Sequence, residues 1–272
     1  MLVSDAVSSS ETPSHSPSVE PPLAPGSLTG KRALVTGSSR GIGAETARYF
    51  ARAGARVAIN YRNKEARALK LVAALEADGG DVIAIGADLT DPESVAHLLD
   101  TVHTSFDGLD ILVLNASGGM ESGMSEDYAM KLNCDAQVDF LRALVPLMAT
   151  GSRIVFVTSH QAHFIKTVET MPEYLPVALS KRAGEDALRE LIPMLDAAGI
   201  EFVVVSGDMI EGTITATLLQ RANPGAIEAR KEAAGRLYNV NEFAAEIARA
   251  AVDPVPENHT RYVGDVSDFQ SA

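Results

Sequence analysis

The sequence predicts an α/β fold: a doubly wound sheet of about seven parallel strands with helices on both faces. Three observations carry this. Residues 32–43, RALVTGSSRGIG, join a short apolar run to a glycine turn, and a helix-like pattern, AETARYFARAG, follows. Apolar, β-branched runs then alternate with helical patterns to the end of the chain, as in strand–helix–strand units of a parallel sheet. Finally, a chain of 272 residues, 46% of them hydrophobic, can fill one large core, and it shows no internal repeat.

Each element has a local reason. Residues 1–28 are rich in Ser, Pro and Glu and cannot bury enough apolar surface to offset ordering entropy, so they read as a disordered tail before a single domain, 29–272. Ala33-Leu34-Val35 form the first strand and stop at Thr36-Gly37. Gly41, Ile42 and Gly43 then open a helix whose free N–H groups and dipole favour an anion, while the glycines let the backbone approach a diphosphate. RVAIN (56–60) is the second strand, ending in Asn60-Tyr61-Arg62-Asn63. Dinucleotide folds place an acid at this strand end to hydrogen-bond the NAD ribose. No acid stands here, whereas Arg62 and Arg40 offer two guanidiniums to a 2′-phosphate, which favours NADP(H). The alternative is that Arg62 is a solvated surface arginine.

A helix over about 63–78 ends at Gly79-Gly80, and DVIAIGADL is the third strand. Asp91-Pro92-Glu93 starts the next helix, which runs to about Phe106. LDILVLN is the fourth strand; a Gly/Ser/Met loop and a long amphipathic helix from about Ser125 to Met148 follow. SRIVFVTSH (152–160) is the fifth strand. A loop carrying His160, His163, Pro172, Tyr174 and Pro176 leads into the helix VALSKRAGEDALRELIPMLDAAG. IEFVVVS is the sixth strand, helices over about 213–236 and 240–252 cap a pocket, and TRYVGDV is the seventh strand.

The glycine spacing, T-G-x-x-x-G-x-G, is followed in order by Asp88-Leu89, Asn115-Ala116, Lys131-Leu132-Asn133, Ser159 and Ser180-Lys181. Over about residues 30–266 this resembles the short-chain dehydrogenases/reductases. The resemblance implies a Rossmann-type sheet and a nicotinamide cofactor held by Gly37, Ser39, Arg40, Gly41, Ile42 and Gly43, then by Tyr61, Arg62 and Asn63. It further implies Asp88 and Leu89 beside the adenine, Asn115, Ala116 and Ser117 at the fourth strand end, and Gly207, Met209 and Thr213 beside the nicotinamide. Taken alone, Asp88 is equally a helix cap. By the same resemblance Ser159 orients a substrate carbonyl, Lys181 binds the nicotinamide ribose, and Asn133 holds a relay water. Assembly as a homodimer or homotetramer through the helices at 125–148 and 177–199 is implied too.

One residue of the family pattern is missing. The chemistry places a tyrosine four residues before the lysine, one helical turn away, so that the ammonium lowers the phenol pKa. Here that position is Val177, and Tyr174 stands seven residues before Lys181. On a continuous helix it shares the lysine's face, but about 10 Å along the axis. Pro176 suits a first helical turn and puts Tyr174 in the preceding loop, where its hydroxyl either enters the site or anchors the loop.

Three functions stay open. The first is an NADP(H)-dependent carbonyl reductase whose proton comes from Tyr174, a nearby histidine, a held water or the substrate itself. The second is a reductase of conjugated C=C bonds, and the third a silent NADP(H)-binding sensor or structural subunit. Ser159 and Asn133, which cofactor binding alone does not require, favour the first. Met209, Ile210, Ile214, Leu218 and Leu219 suggest an apolar, aromatic or polyketide-like ketone, or else helix-packing core.

Composition excludes other classes. A formal charge of −13 argues against nucleic-acid or anionic-membrane partners, leaving a small-molecule substrate. No apolar run reaches the ~18 residues of a membrane span, and no signal-peptide pattern opens the chain. The single Cys134 suits a reducing cytoplasm. His160 and His163 read as solvated loop residues without partners at zinc-site spacing, so no metal is expected.

Overall fold

Side chains alternate across a strand, so a strand apolar at every position must be covered on both faces. β1 (Arg32–Val35) obeys this: Ala33 and Val35 face one core and Leu34 the other. In β5 (Met148–Ser159), Val155 and Val157 join the first core while Ile154 and Phe156 join the second. The computed structural model describes residues 21–120, 123, 125 and 127–270.

Among these, seven parallel strands form one sheet in the order β3-β2-β1-β4-β5-β6-β7. The others are β2 (Arg56–Tyr61), β3 (Asp81–Gly86), β4 (Leu109–Leu114), β6 (Glu201–Gly207) and β7 (Thr260–Val263). One face is covered by α1 (Gly41–Arg52), α2 (Glu65–Ala77) and α11 (Val240–Ala250) through Phe50, Leu75, Phe243 and Ile247. The other is covered by α3 (Pro92–Phe106), α5 (Ala136–Leu144) and α8 (Ile192–Ala197) through Leu98, Phe140, Leu141 and Leu195. Chain order reverses between β1 and β4, which opens a crevice at the strands' C-terminal ends.

Several boundaries differ from expectation. The segment expected to be a tail through residue 28 is packed from 21 onward: Leu23 and Leu28 are buried in the first core, and the Leu28 N–H donates to the Ala53 carbonyl at 2.8 Å. Two leucines there supply the apolar area the rest of the segment lacks. Residues 1–20 lie outside the described residues. The helix expected from Ser125 begins at Tyr128 instead, as α4 (Tyr128–Met130), a π turn (Lys131–Asp135) and then α5.

The helix expected over 177–199 starts earlier, at α7 (Leu175–Arg189), and α8 follows it separately. The single helix expected over 213–236 is two, α9 (Ile214–Ala222) and α10 (Ala226–Ala234), divided at Pro224-Gly225. Gly225 takes φ +93°, a conformation glycine alone adopts cheaply. As expected, Asp91 caps α3, accepting from the N–H groups of Glu93 and Ser94.

Candidate active site

The site begins at the turn after β1. Thr36 is fully buried and its hydroxyl ties two strand ends together, accepting from the N–H groups of Asn115 (2.9 Å) and Ala116 (3.0 Å) and donating to the Val113 carbonyl (3.2 Å). The Asn115 carboxamide donates to the carbonyls of Thr36 (2.9 Å) and Gly37 (3.3 Å), bracing the turn itself. Glycine is required here: Gly37 has φ +61°, and a Cβ on it would meet Ala116 Cα at 2.9 Å. A Cβ on Gly43 would meet Asn115 Nδ2 at 2.6 Å.

Asn60, expected at the position of a ribose-binding acid, is buried and points into the sheet. Its Oδ1 accepts from the Gly37 N–H at 3.2 Å, and its Nδ2 donates to the carbonyls of Ile85 and Ala87. Strand alternation turns it inward. Asn60 therefore reaches the cleft only as part of its floor, and Tyr61, Arg62 and Asn63 line it further on, beside Ser39, Arg40, Gly41 and Ile42.

This cleft of about 770 Å³ runs from the glycine turn past Asp88, Leu89, Asn115, Ala116 and Ser117 to Ser159, Tyr174, Lys181, Met209 and Thr213. Arg62 donates to the Tyr128 hydroxyl, its guanidinium 5.5 Å from that ring's centre. Asp88 is not the helix cap, which is Asp91; its Oδ1 accepts from the Thr90 N–H and hydroxyl at 2.9 and 2.8 Å. The turn's close backbone, the N-terminus of α1 and the two arginines fit the diphosphate and 2′-phosphate of a nicotinamide dinucleotide.

Two expected residues do not line the cleft. Gly207 ends β6 and is packed under Phe243, whose Cε2 a Cβ would meet at 2.4 Å. Asn133 is buried in the π turn, where Nδ2 donates to the Gly118 carbonyl (2.8 Å) and Ser180 Oγ (3.0 Å), and Oδ1 accepts from the Gly118 N–H (3.2 Å). Its side chain braces the loop after β4.

At the opposite end, Ser159 caps the short α6 (His160–His163), accepting from the Ala162 N–H at 3.2 Å. Tyr174 caps α7 with helical dihedrals, and its hydroxyl is 3.0 Å from Ser159 Oγ. Burial raises the phenol pKa above its ordinary value, the Ser159 hydrogen bond opposing. The half-buried Lys181 completes this end; desolvation lowers its ammonium to about 8, with Glu185 pulling the other way.

The histidines, expected to be solvated, are pulled inward behind the cleft and do not line it. His160 is fully buried, with Nδ1 2.8 Å from Ser206 Oγ, and desolvation lowers its pKa to about 4. His163 lies between the Glu185 carboxylate (3.0 Å) and the Tyr262 hydroxyl (3.1 Å). No cluster that could hold a metal ion occurs among the described residues.

Asp208, Tyr128 and Gln161 are among the cleft residues that the sequence did not point to. Asp208, next to the expected Gly207 and Met209, is buried and paired with Arg230 at 2.8 Å. Tyr128 and Gln161 left no signal, because only chain packing brings them to the cleft.

The comparisons agree with this architecture. The model of the short chain dehydrogenase family matches residues 31–223. The chain belongs to that family and is by class an oxidoreductase. Among curated relatives, the short chain dehydrogenase/reductase nsrJ of Aspergillus novofumigatus is 33% identical over 200 residues, 71% of this chain and 73% of that protein. Versicolorin reductase 1 of Aspergillus parasiticus is 34% identical over 168 residues, 60% of this chain and 63% of the relative. Among solved structures, the angucycline C-6 ketoreductase LanV with bound NADP has a TM-score of 0.70 at 27% identity, covering 85% of this chain and 92% of LanV. No helix among the described residues is long and apolar enough to cross a membrane.

Proposed function

We propose that this chain is an NADP(H)-dependent ketoreductase of apolar or aromatic, polyketide-like ketones, with Tyr174 as its proton donor in place of the residue absent at Val177. The Ser159–Tyr174 hydroxyl pair, 3.0 Å apart in the cleft that contains the glycine turn, carries this reading. The names of versicolorin reductase and of the angucycline ketoreductase support the substrate class.

A nicotinamide bound in this cleft supplies the hydride. The chain's own part is to orient the ketone and manage its oxygen. The two hydroxyls receive that oxygen and stabilise the charge that develops on it. Tyr174, its pKa raised by burial, keeps its proton at neutral pH and hands it to the alkoxide. Lys181 adds positive charge, and the apolar walls exclude water. Assembly as a homodimer or homotetramer belongs to the same reading, since Leu175 and Leu179 leave an apolar strip of α7 at 40% and 49% exposure.

Titration with NADPH and NADH, then NADPH oxidation against aromatic ketones and enones, tests this. The expected result is tighter NADPH binding and ketone turnover that Tyr174→Phe abolishes. Ketone turnover unaffected by that change removes Tyr174 as the donor; turnover of enones alone replaces the ketoreductase reading.

A further inference from the structure

Gln161 stands two residues beyond Ser159 and lines the same cleft. Among the described residues its carboxamide makes no hydrogen bond. On one side His160 is fixed to Ser206; on the other, His163 is fixed to Glu185 and Tyr262, and the His163 carbonyl accepts from Arg182 at 2.8 Å. Ser159 closes the turn by accepting from the Ala162 N–H. Every neighbour in α6 is anchored, so the backbone of Gln161 is presented to the cleft from a rigid base and only its side-chain rotamers are left to be fixed by a ligand.

Apolar and polar side chains share this cleft. Val177, Met209 and Leu219 pack with Tyr174 in one apolar cluster, Ile210 and Ile214 also line the cleft, and Asp208 there is paired with Arg230. Thr213 is occupied in capping α9, and Thr215 sits on that helix's exposed first turn. A ligand filling this end meets apolar wall, the reacting Ser159–Tyr174 pair, and one unengaged carboxamide beside it. A carboxamide both donates and accepts, so it can pair with a hydroxyl or a carbonyl.

We propose that Gln161 is a specificity-determining residue: it binds a second oxygen of the substrate, selecting fused-ring ketones that carry a further hydroxyl or carbonyl over plain aromatic ketones. This rests on the ketoreductase reading for its substrate class. It concerns only where the second oxygen is held.

The test uses α-tetralone and its ring-hydroxylated derivatives with the full chain and NADPH. Both kcat/KM and the affinity of each compound for the protein–NADPH complex are measured, for the wild type and for Gln161→Leu and Gln161→Glu. The wild type should favour at least one hydroxylated derivative, and Gln161→Leu should lower that preference about tenfold, the worth of one hydrogen bond. Gln161→Glu, which still accepts from a hydroxyl, should restore part of it. A merely structural role would weaken all the compounds alike. A preference unchanged in Gln161→Leu, or no wild-type preference in either turnover or binding, overturns the proposal. Should no compound be reduced, the ketoreductase reading fails, and the binding ratios still decide the role of Gln161.

Discussion

The hydroxyls of Ser159 and Tyr174 meet at 3.0 Å, although the family pattern would put the phenol on the residue at 177. The contact has a simple physical origin. Pro176 sits in the first turn of α7, so Tyr174 becomes the cap, with φ −97° and ψ −13°. It therefore continues the helical path, and its seven-residue separation from Lys181 keeps it on the lysine's side of α7. Val177 fills the space one turn nearer, where it packs close to Gly119.

If these hydroxyls act as a unit, Tyr174→Phe and Ser159→Ala should each lower kcat about 10²–10⁴-fold, and the double variant little further. NADPH affinity should hold in all three. Steady-state kinetics beside fluorescence titration will check this, and a double variant showing the full product of both losses would mean that the groups act separately.

The Lys181 ammonium titrates near 8, lowered chiefly by desolvation, so its charge is present below that pH and lost above it. Affinity for NADPH should then fall as pH rises through about 8. In Lys181→Met the affinity should be lower throughout and should lack this step. Titrations from pH 6 to 10 decide the point.

Arg62→Ala should weaken NADPH by about 10–100-fold, the worth of a charge-assisted hydrogen bond, and NADH much less. Equal losses for the two cofactors would remove the 2′-phosphate argument and leave Arg62 as a partner of Tyr128.

Glu185 has no exposed side-chain surface and accepts from His163 and from Arg189 at 2.9 Å. Desolvation raises its pKa, but those partners outweigh it and the net shift is downward. A carboxylate with a depressed folded-state pKa adds stability above its unfolded pKa and loses it as pH falls through the folded one. Glu185→Gln should therefore cost about 3 kcal/mol at neutral pH. The difference from wild type should shrink in acid, as urea denaturation at several pH values will reveal.

Much of the fold and of the candidate cleft was legible because its signals are local. Periodicity located the strands, and Gly37, Gly41 and Gly43 announced a turn that only glycine can make. Asp91-Pro92-Glu93 marked a helix start, and the order of Asp88, Asn115, Ser159 and Lys181 identified the family. Sequence could not tell that Asn60 faces inward or that His160 and His163 are buried, since these depend on partners such as Ser206, Glu185 and Tyr262 in distant elements. Leu23 and Leu28 were lost in a polar, proline-rich composition whose average hid two good core residues.

By itself, then, the sequence determined the architecture, the class of cofactor site and the absence of a tyrosine at Val177, all written in neighbouring residues. Where Tyr174 places its hydroxyl was decided only by the tertiary structure. That position depends on how the loop after α6 returns to the sheet and where Pro176 starts α7, and no local pattern encodes the meeting of those two paths at Ser159.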